Sequence, residues 1–255
     1  MKKDFVLKNL KDVKAIENVS PQVSERYVPI YTTELIEALA PEFEFVSGYK
    51  FGGGKSSKHY VTLKNKDNDE IRIYNSFDAS LAFRAYLVSD DIQFSLVDEN
   101  RVVHVGDKAR SLSDEETITD IKEAIVNAIP NIKLLNTKLR DTEVDVDSDL
   151  AEKIKEAISK NTLYYYKRSK KSQDYEFVNY TDEVVKTLQE KGKKVSIYSY
   201  INLSTKNFIE GNYGFRNTKT KALSGGRPVK SVTNRITILN NIAKLLEADF
   251  FEYLI

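Results

Sequence analysis

The sequence predicts an α+β protein: an antiparallel sheet over about residues 42–106, with the helices that follow it in the chain packed on it. Two observations carry this expectation. The strand-like runs follow one another with no helical stretch between them, whereas parallel strands need crossover segments. After Ser113 the apolar residues recur at three and four positions instead of two.

The first 30 residues read as an N-terminal arm, punctuated by Pro21 and Pro29. Thr32 or Thr33 then caps a short helix, Glu34 to Ala40, stopped by Pro41. The strand grammar follows in Phe43-Glu44-Phe45-Val46, His59-Tyr60-Val61-Thr62-Leu63, Ile71-Arg72-Ile73-Tyr74, Phe83 to Val88 and Arg101 to Val105. These runs are β-branched and aromatic and are separated by Gly, Asn and Asp. Ser113 with Glu116 forms a capping box before Ile118, Ile121, Ile125 and Ile129, and Pro130 is expected to kink or end that helix. Further helices are expected after Ser148, over Thr181 to Glu190 with Gly192 as terminator, over Val195 to Ile209 before Gly211, and over Thr233 to Leu246. The organisation is therefore an arm over 1–30, a mixed helix and sheet region over 31–140, and a basic helical region over 141–255 that shares its core.

Composition excludes several classes of function. The 255 residues contain no Cys, hence no disulfide framework, thiolate metal site or thiol nucleophile. No apolar run reaches the length of a membrane span and none follows Met1 as a signal segment, so a cytoplasmic location is expected, the host cytoplasm if the protein is phage-encoded. The net charge of +1 conceals an asymmetry. Residues 1–159 hold 22 Lys and Arg against 29 Asp and Glu, while residues 160–240 hold 16 against 6. A basic half of this kind suits a polyanion.

Two motifs fail on inspection. Phe51 to Ser57 contains Gly52, Gly53, Gly54 and Lys55, but the Walker pattern needs Gly where Tyr49 stands and a helix where a strand follows. A hairpin tip fits better, and its Lys50, Lys55 and Lys58 can still meet phosphate. The run Asp141 to Asp149 imitates a calcium loop, but with Asp145 as position 1 the obligatory Gly falls on Leu150. It reads as an acidic linker ending at a helix N-terminus, where carboxylates suit the dipole. The only histidines, His59 and His104, lie in strand-like runs without partners at ligand spacing. No metal, cofactor or catalytic constellation is expected.

The basic stretches carry more. Leu163 to Lys171 interleaves Tyr164, Tyr165 and Tyr166 with Lys167, Arg168, Lys170 and Lys171. Asn207 to Arg235 adds Arg216, Lys219, Lys221, Arg227, Lys230 and Arg235 around Tyr213 and Phe215, in a glycine-rich stretch that suggests a mobile loop. Cations neutralise phosphates, and exposed aromatics stack on unpaired bases.

Four segments taken together resemble the phage- and plasmid-related family known as domain of unknown function 932. Ser24 to Ile30 is similar to its S-x-R-Y-x-x-I/V opening, and Tyr74-Asn75-Ser76-Phe77-Asp78-Ala79-Ser80 to its NSHDGS turn, with Phe77 for His and Ala79 for Gly. Arg101 to Gly106 is similar to its RHTG strand end, and Tyr198 to Lys206 to its LYNAVTEY helix. The family's C-x-NG segment has no counterpart near Gln93 to Asn100. The resemblance implies a mobile-element setting and leans towards DNA metabolism.

The sequence reading is thus a non-catalytic phage or plasmid protein that binds nucleic acid, single strands in preference. The residues expected to do so are Lys167, Arg168, Lys170, Lys171, Tyr164, Tyr213, Arg216, Lys219, Lys221, Arg227, Lys230 and Arg235. The alternative is an anti-defence or virion-associated factor with a host or viral protein as partner. A third is an enzyme with a polar site near Asp78, alone or with Arg84. A homo-oligomer is compatible with all three, and no membrane partner is expected.

Overall fold

The computed structural model describes residues 5–21, 23, 29–51, 56–90, 92–97, 114–171 and 174–248. The chain divides into two compact units, Met1–Ser89 with Phe94–Ile132, and Asp90–Gln93 with Lys133–Ile255.

The first unit is built on a sheet whose strands lie in chain order: β1 (Phe5–Leu7), β2 (Phe43–Lys50), β3 (His59–Asn65), β4 (Glu70–Asn75), β5 (Arg84–Ser89) and β6 (Ile92–Ser95). The fold class is α+β with an antiparallel sheet, as the contiguous strand runs predict. Register explains the burial. Val61 lies opposite Ile73 and Ile73 opposite Ala85, while Leu63 lies opposite Ile71 and Ile71 opposite Leu87. All six are buried, so one pleat face is apolar throughout. The other face carries an aromatic ladder, Tyr49, Tyr60, Tyr74 and Tyr86, with centroids 5.8, 5.4 and 5.7 Å apart. The β3–β4 turn is pinned by Asn65, whose Oδ1 accepts from the amides of Asp67 and Asp69.

Several expectations need correction. Within residues 1–30, expected as an arm, β1 pairs with β2 and a helix, α1 (Leu10–Lys14), capped by Asn9, follows it. The next helix, α2 (Thr32–Leu39), is not capped by the side chain of Thr32 or Thr33. Glu17 takes that place, accepting from the Thr33 amide at 2.7 Å and its hydroxyl at 2.5 Å. Thr32 is turned inward to His59. Pro130 does not end its helix: α3 runs from Asp114 to Asp141. Buried Ile125, Ile129, Ile132 and Leu135 flank the proline on both sides, and their burial outweighs the one lost backbone bond. The expected strand Arg101 to Val105, His104, Ser24 to Val28 and the cap at Ser113 lie outside the described residues.

The second unit contains α4 (Asp149–Ser169), β7 (Tyr175–Asn179), α5 (Thr181–Glu190), α6 (Ile197–Glu210), β8 (Tyr213–Asn217), β9 (Leu223–Gly225) and α7 (Val232–Ala248). The acidic run 141–149 ends at the N-terminus of α4, where Ser148 accepts from the Ala151 amide. The strands form a separate antiparallel sheet in the order β7-β8-β9. Phe177, Phe208, Tyr213 and Phe215 pack as an aromatic core between this sheet and α6, and Tyr166 of α4 stacks on Phe215 at 4.1 Å.

Candidate nucleic-acid interface

The sequence between Thr181 and Gly225 folds as two helices joined by a turn, followed by a β-hairpin. The first helix stops by a two-bond left-handed cap. Gly192, at φ +73°, donates to the Gln189 carbonyl, and Lys193 donates to that of Leu188. The turn, 191–196, exposes Lys191, Lys193 and Lys194 and ends on Ser196, which accepts from the Ser199 amide and so starts α6. The second helix stops in the same way at Gly211, φ +90°, with Asn212 donating to the Asn207 carbonyl. A Cβ on Gly211 would stand 2.7 Å from the Pro228 nitrogen, so the segment after the hairpin is seated against this helix end.

A buried polar network fixes α6 against β7 and α5. The Asn179 amide donates to Ser204, the Asn207 amide to Thr181, and the Tyr200 hydroxyl to Asp182 at 2.6 Å. Lys155 of α4 reaches the other Asp182 oxygen at 3.1 Å and also pairs with Glu152. Burial and the Asp182 carboxylate push the Tyr200 hydroxyl far above the usual tyrosine range. Burial opposes the charge of Lys155, but its bonds to Glu152 and Asp182 outweigh that and raise it. With Ile197, Tyr198, Tyr200, Ile201, Ser204, Thr205 and Phe208 buried, the helix leaves one stripe to solvent. Ser199, Lys206 and Glu210 are exposed on it, half-buried Leu203 lies between them at spacings of four, three and four, and half-buried Asn202 turns its side-chain oxygen inward. The stripe is short and largely polar, on a 14-residue helix about 20 Å long.

The cations expected to bind nucleic acid fall into two groups. One gathers at the hairpin tip. Lys167 and Arg168 lie in the last turn of α4, Lys170 caps it and Lys171 follows; all four are exposed, and the tip residue Thr218 donates to the Asp174 carbonyl that comes after them. Lys219 and Lys221 are exposed at that tip, and Arg216 is half-buried beside Glu176 at 2.8 Å. Lys219 lies 3.6 Å from Asp174. The other group, Arg227, Lys230 and Arg235, is exposed at the opposite end of β8, roughly 13 Å away along a five-residue strand. There Val229 donates to Ile209 of α6, and the Arg235 guanidinium donates to the Val229 carbonyl.

The aromatic expectation divides. Tyr164 is 59% exposed and its neighbour Tyr165 is 65% exposed. Tyr213 is only 6% exposed, stacked on Phe208 at 4.4 Å with its hydroxyl on the Arg227 carbonyl. It is a core residue and not a stacking platform. The stretch expected as a mobile loop contains the β8–β9 hairpin, and two of its glycines serve packing: a Cβ on Gly226 would meet the Tyr213 ring at 2.5 Å and one on Gly214 the Leu223 side chain at 2.9 Å.

The sequence reading placed both helices and the Gly192 stop but did not join them as a site, and it named none of Lys191, Lys193, Lys194 and Lys206 as a binding residue. The signal was present as two amphipathic runs separated by Lys191-Gly192, with Ser196 positioned as a cap. In the first unit, Asp78 lies in the turn after β4, where Ser57 and Ser80 donate to its carboxylate, while Arg84 stands on β5 opposite Tyr74. No helix among the described residues is long and apolar enough to cross a membrane. Comparison with protein-family models, with curated proteins and with solved structures finds no match to this chain.

Proposed function

We propose that the second unit binds duplex DNA without catalysis, presenting the exposed stripe of α6 to a groove while lysines of the adjoining turn and hairpin contact phosphates. The observation that carries this reading is the helix–turn–helix–hairpin arrangement with its charge. A helix held by buried polar bonds offers exposed Ser199 and Lys206 along one face, with half-buried Leu203 between them. Lys191 and Lys193 before it, and Lys221, Arg227 and Lys230 after it, form no ion pair among the described residues. A helix placed this way fits the major groove, and polar side chains read base edges there.

Duplex is favoured over single strands because one of the two expected stacking rings, Tyr213, lies in the core. The resemblance to the phage and plasmid family adds a mobile-element setting to this reading. A second reading, a surface for a host or viral protein, is favoured by Tyr164 and Tyr165, adjacent exposed rings in edge contact at 5.5 Å on α4.

Fluorescence anisotropy with a labelled duplex of about three helical turns, the matching single strand and an RNA duplex tests the proposal. The duplex DNA is expected to bind tightest, and Lys191→Ala/Lys193→Ala to weaken it. Equal or tighter binding of the single strand would return the site to the tyrosines of α4, and no salt-dependent binding at all would favour the protein partner.

A further inference from the structure

At one end of the first unit's sheet lies a cavity of about 700 Å³, walled by the segment after α1, the ends of β2 and β3, and the turn after β4. That size suits a small molecule. The pairing of Lys50 with His59 brings Lys50 and Lys58 to the same end of neighbouring strands, and both line the cavity. Asp78 is the one carboxylate among the described residues of the lining. Its charge is already met by hydroxyl and amide donors, through the Ser57 amide at 3.2 Å, the Ser80 amide at 3.1 Å and the Ser80 hydroxyl. Partial burial raises this carboxyl, and the bonds from Ser80, Ser57 and Ser76 outweigh that and hold it below its ordinary range.

Among the described residues of the lining two lysines stand against one carboxylate, and Lys58 forms no ion pair among the described residues. The charge of Lys50 reaches inward far enough to contribute to the lowered basicity of His59. The framework beneath is held by a chain of hydrogen bonds. Ser57 accepts from the Phe77 amide at 2.6 Å, His59 bonds the Ser57 carbonyl at 2.7 Å and Thr32 at 2.9 Å, and Asn75 donates to Thr32. The Ser57 hydroxyl proton meets no acceptor among the described residues and is available at the cavity wall.

We propose that this cavity binds a small phosphorylated molecule, with Lys50 and Lys58 holding the phosphate as point charges and the Ser57 hydroxyl supplying a directional bond. Ammonium groups suit a phosphate in this manner. The saturated Asp78 acts by positioning Ser57 and Ser80, not by touching the phosphate. The site is independent of the DNA-binding reading, since every residue in it belongs to the first unit.

Isothermal titration of the full chain with ribose 5-phosphate, ribose and inorganic phosphate tests the proposal. The phosphate ester is expected to bind at least tenfold tighter than ribose, with affinity falling as salt rises. Inorganic phosphate binding as tightly as the ester would assign the cavity to free phosphate and overturn the phosphorylated-molecule class. Lys58→Gln and Lys50→Gln should each weaken the ester at least fivefold, while Lys219→Ala/Lys221→Ala in the second unit leaves it unchanged. Ester binding no tighter than ribose, or loss in the Lys219/Lys221 variant alone, would overturn the assignment. Thermal unfolding of the unliganded variants, expected to match wild type, separates loss of the site from loss of the fold.

Discussion

Burial of His59 makes the first unit sensitive to acid, and the size of the effect follows from its surroundings. The ring is fully buried, stacked at 5.8 Å on Phe77 and bonded by both nitrogens to Ser57 and Thr32. Burial is the largest influence and lowers its pKa. The Ser57 carbonyl opposes that, and the Lys50 charge lowers it further, leaving it at about 4 against an ordinary 6.5. Above pH 6.5 the imidazole is neutral whether the chain is folded or not, and stability is unaffected. Between 6.5 and about 4 the unfolded chain takes up a proton that the folded one does not, so stability falls with pH. Below about 4 the loss is complete, at about 3 kcal/mol for a gap of this width. Urea unfolding across this range, read on β3 and β4 by pulsed hydrogen exchange and mass spectrometry, should show that loss in wild type. His59→Gln should lack it, because carboxylate effects common to both cancel in the difference. An NMR titration placing the His59 imidazole near 6.5, or equal pH slopes in the two proteins, would refute the reasoning.

Three further outcomes follow from the second unit. Gly211→Ala forces a side chain into φ +90° and against Pro228, and should cost about 2 kcal/mol or more in urea unfolding. Tyr213→Ala should cost about 3–5 kcal/mol, as emptying an aromatic core site does, whereas Tyr164→Ala should stay within about 0.5 kcal/mol of wild type. Asp182→Ala removes the common partner of Lys155 and Tyr200. Its side chain keeps 25% exposure, so the expected loss is about 2 kcal/mol, short of that for a fully buried pair, and Asp182→Asn should recover part of it.

Much of the first unit was legible because alternation and register agree. The strands beginning at Phe43, His59 and near Ile71 start within a residue of their expected positions. The second unit was harder to read for a physical reason. Tyr175-Glu176-Phe177-Val178-Asn179 and Tyr213 to Asn217 are five-residue strands, each beside turn residues, and short strands paired across a helix pair leave little periodicity. Composition located the charge correctly but not its organisation. Lys167 and Lys171 end a helix, Lys219 and Lys221 cap a hairpin, and Arg227 lies beyond the far end of it. Tyr213 was misread because an aromatic between glycines and cations resembles a stacking platform, while its register opposite Asn179 turns it into the core. The helix continues through Pro130 because burial on both flanks overrides a local propensity.

Selection of preferred sites from a random duplex DNA pool, with salt titrations of the selected duplex, tests the central claim most directly. Wild type should enrich a defined sequence. Ser199→Ala and Lys206→Ala should change which bases are preferred, because these side chains lie on the exposed stripe of α6. Lys219→Ala and Lys221→Ala should leave that preference intact, weaken all sequences alike and reduce the salt slope by about 0.9 for each phosphate no longer neutralised. A preference that moves with the hairpin lysines and ignores the α6 stripe, or a pool that enriches nothing, would contradict the assignment of α6 as the reading element.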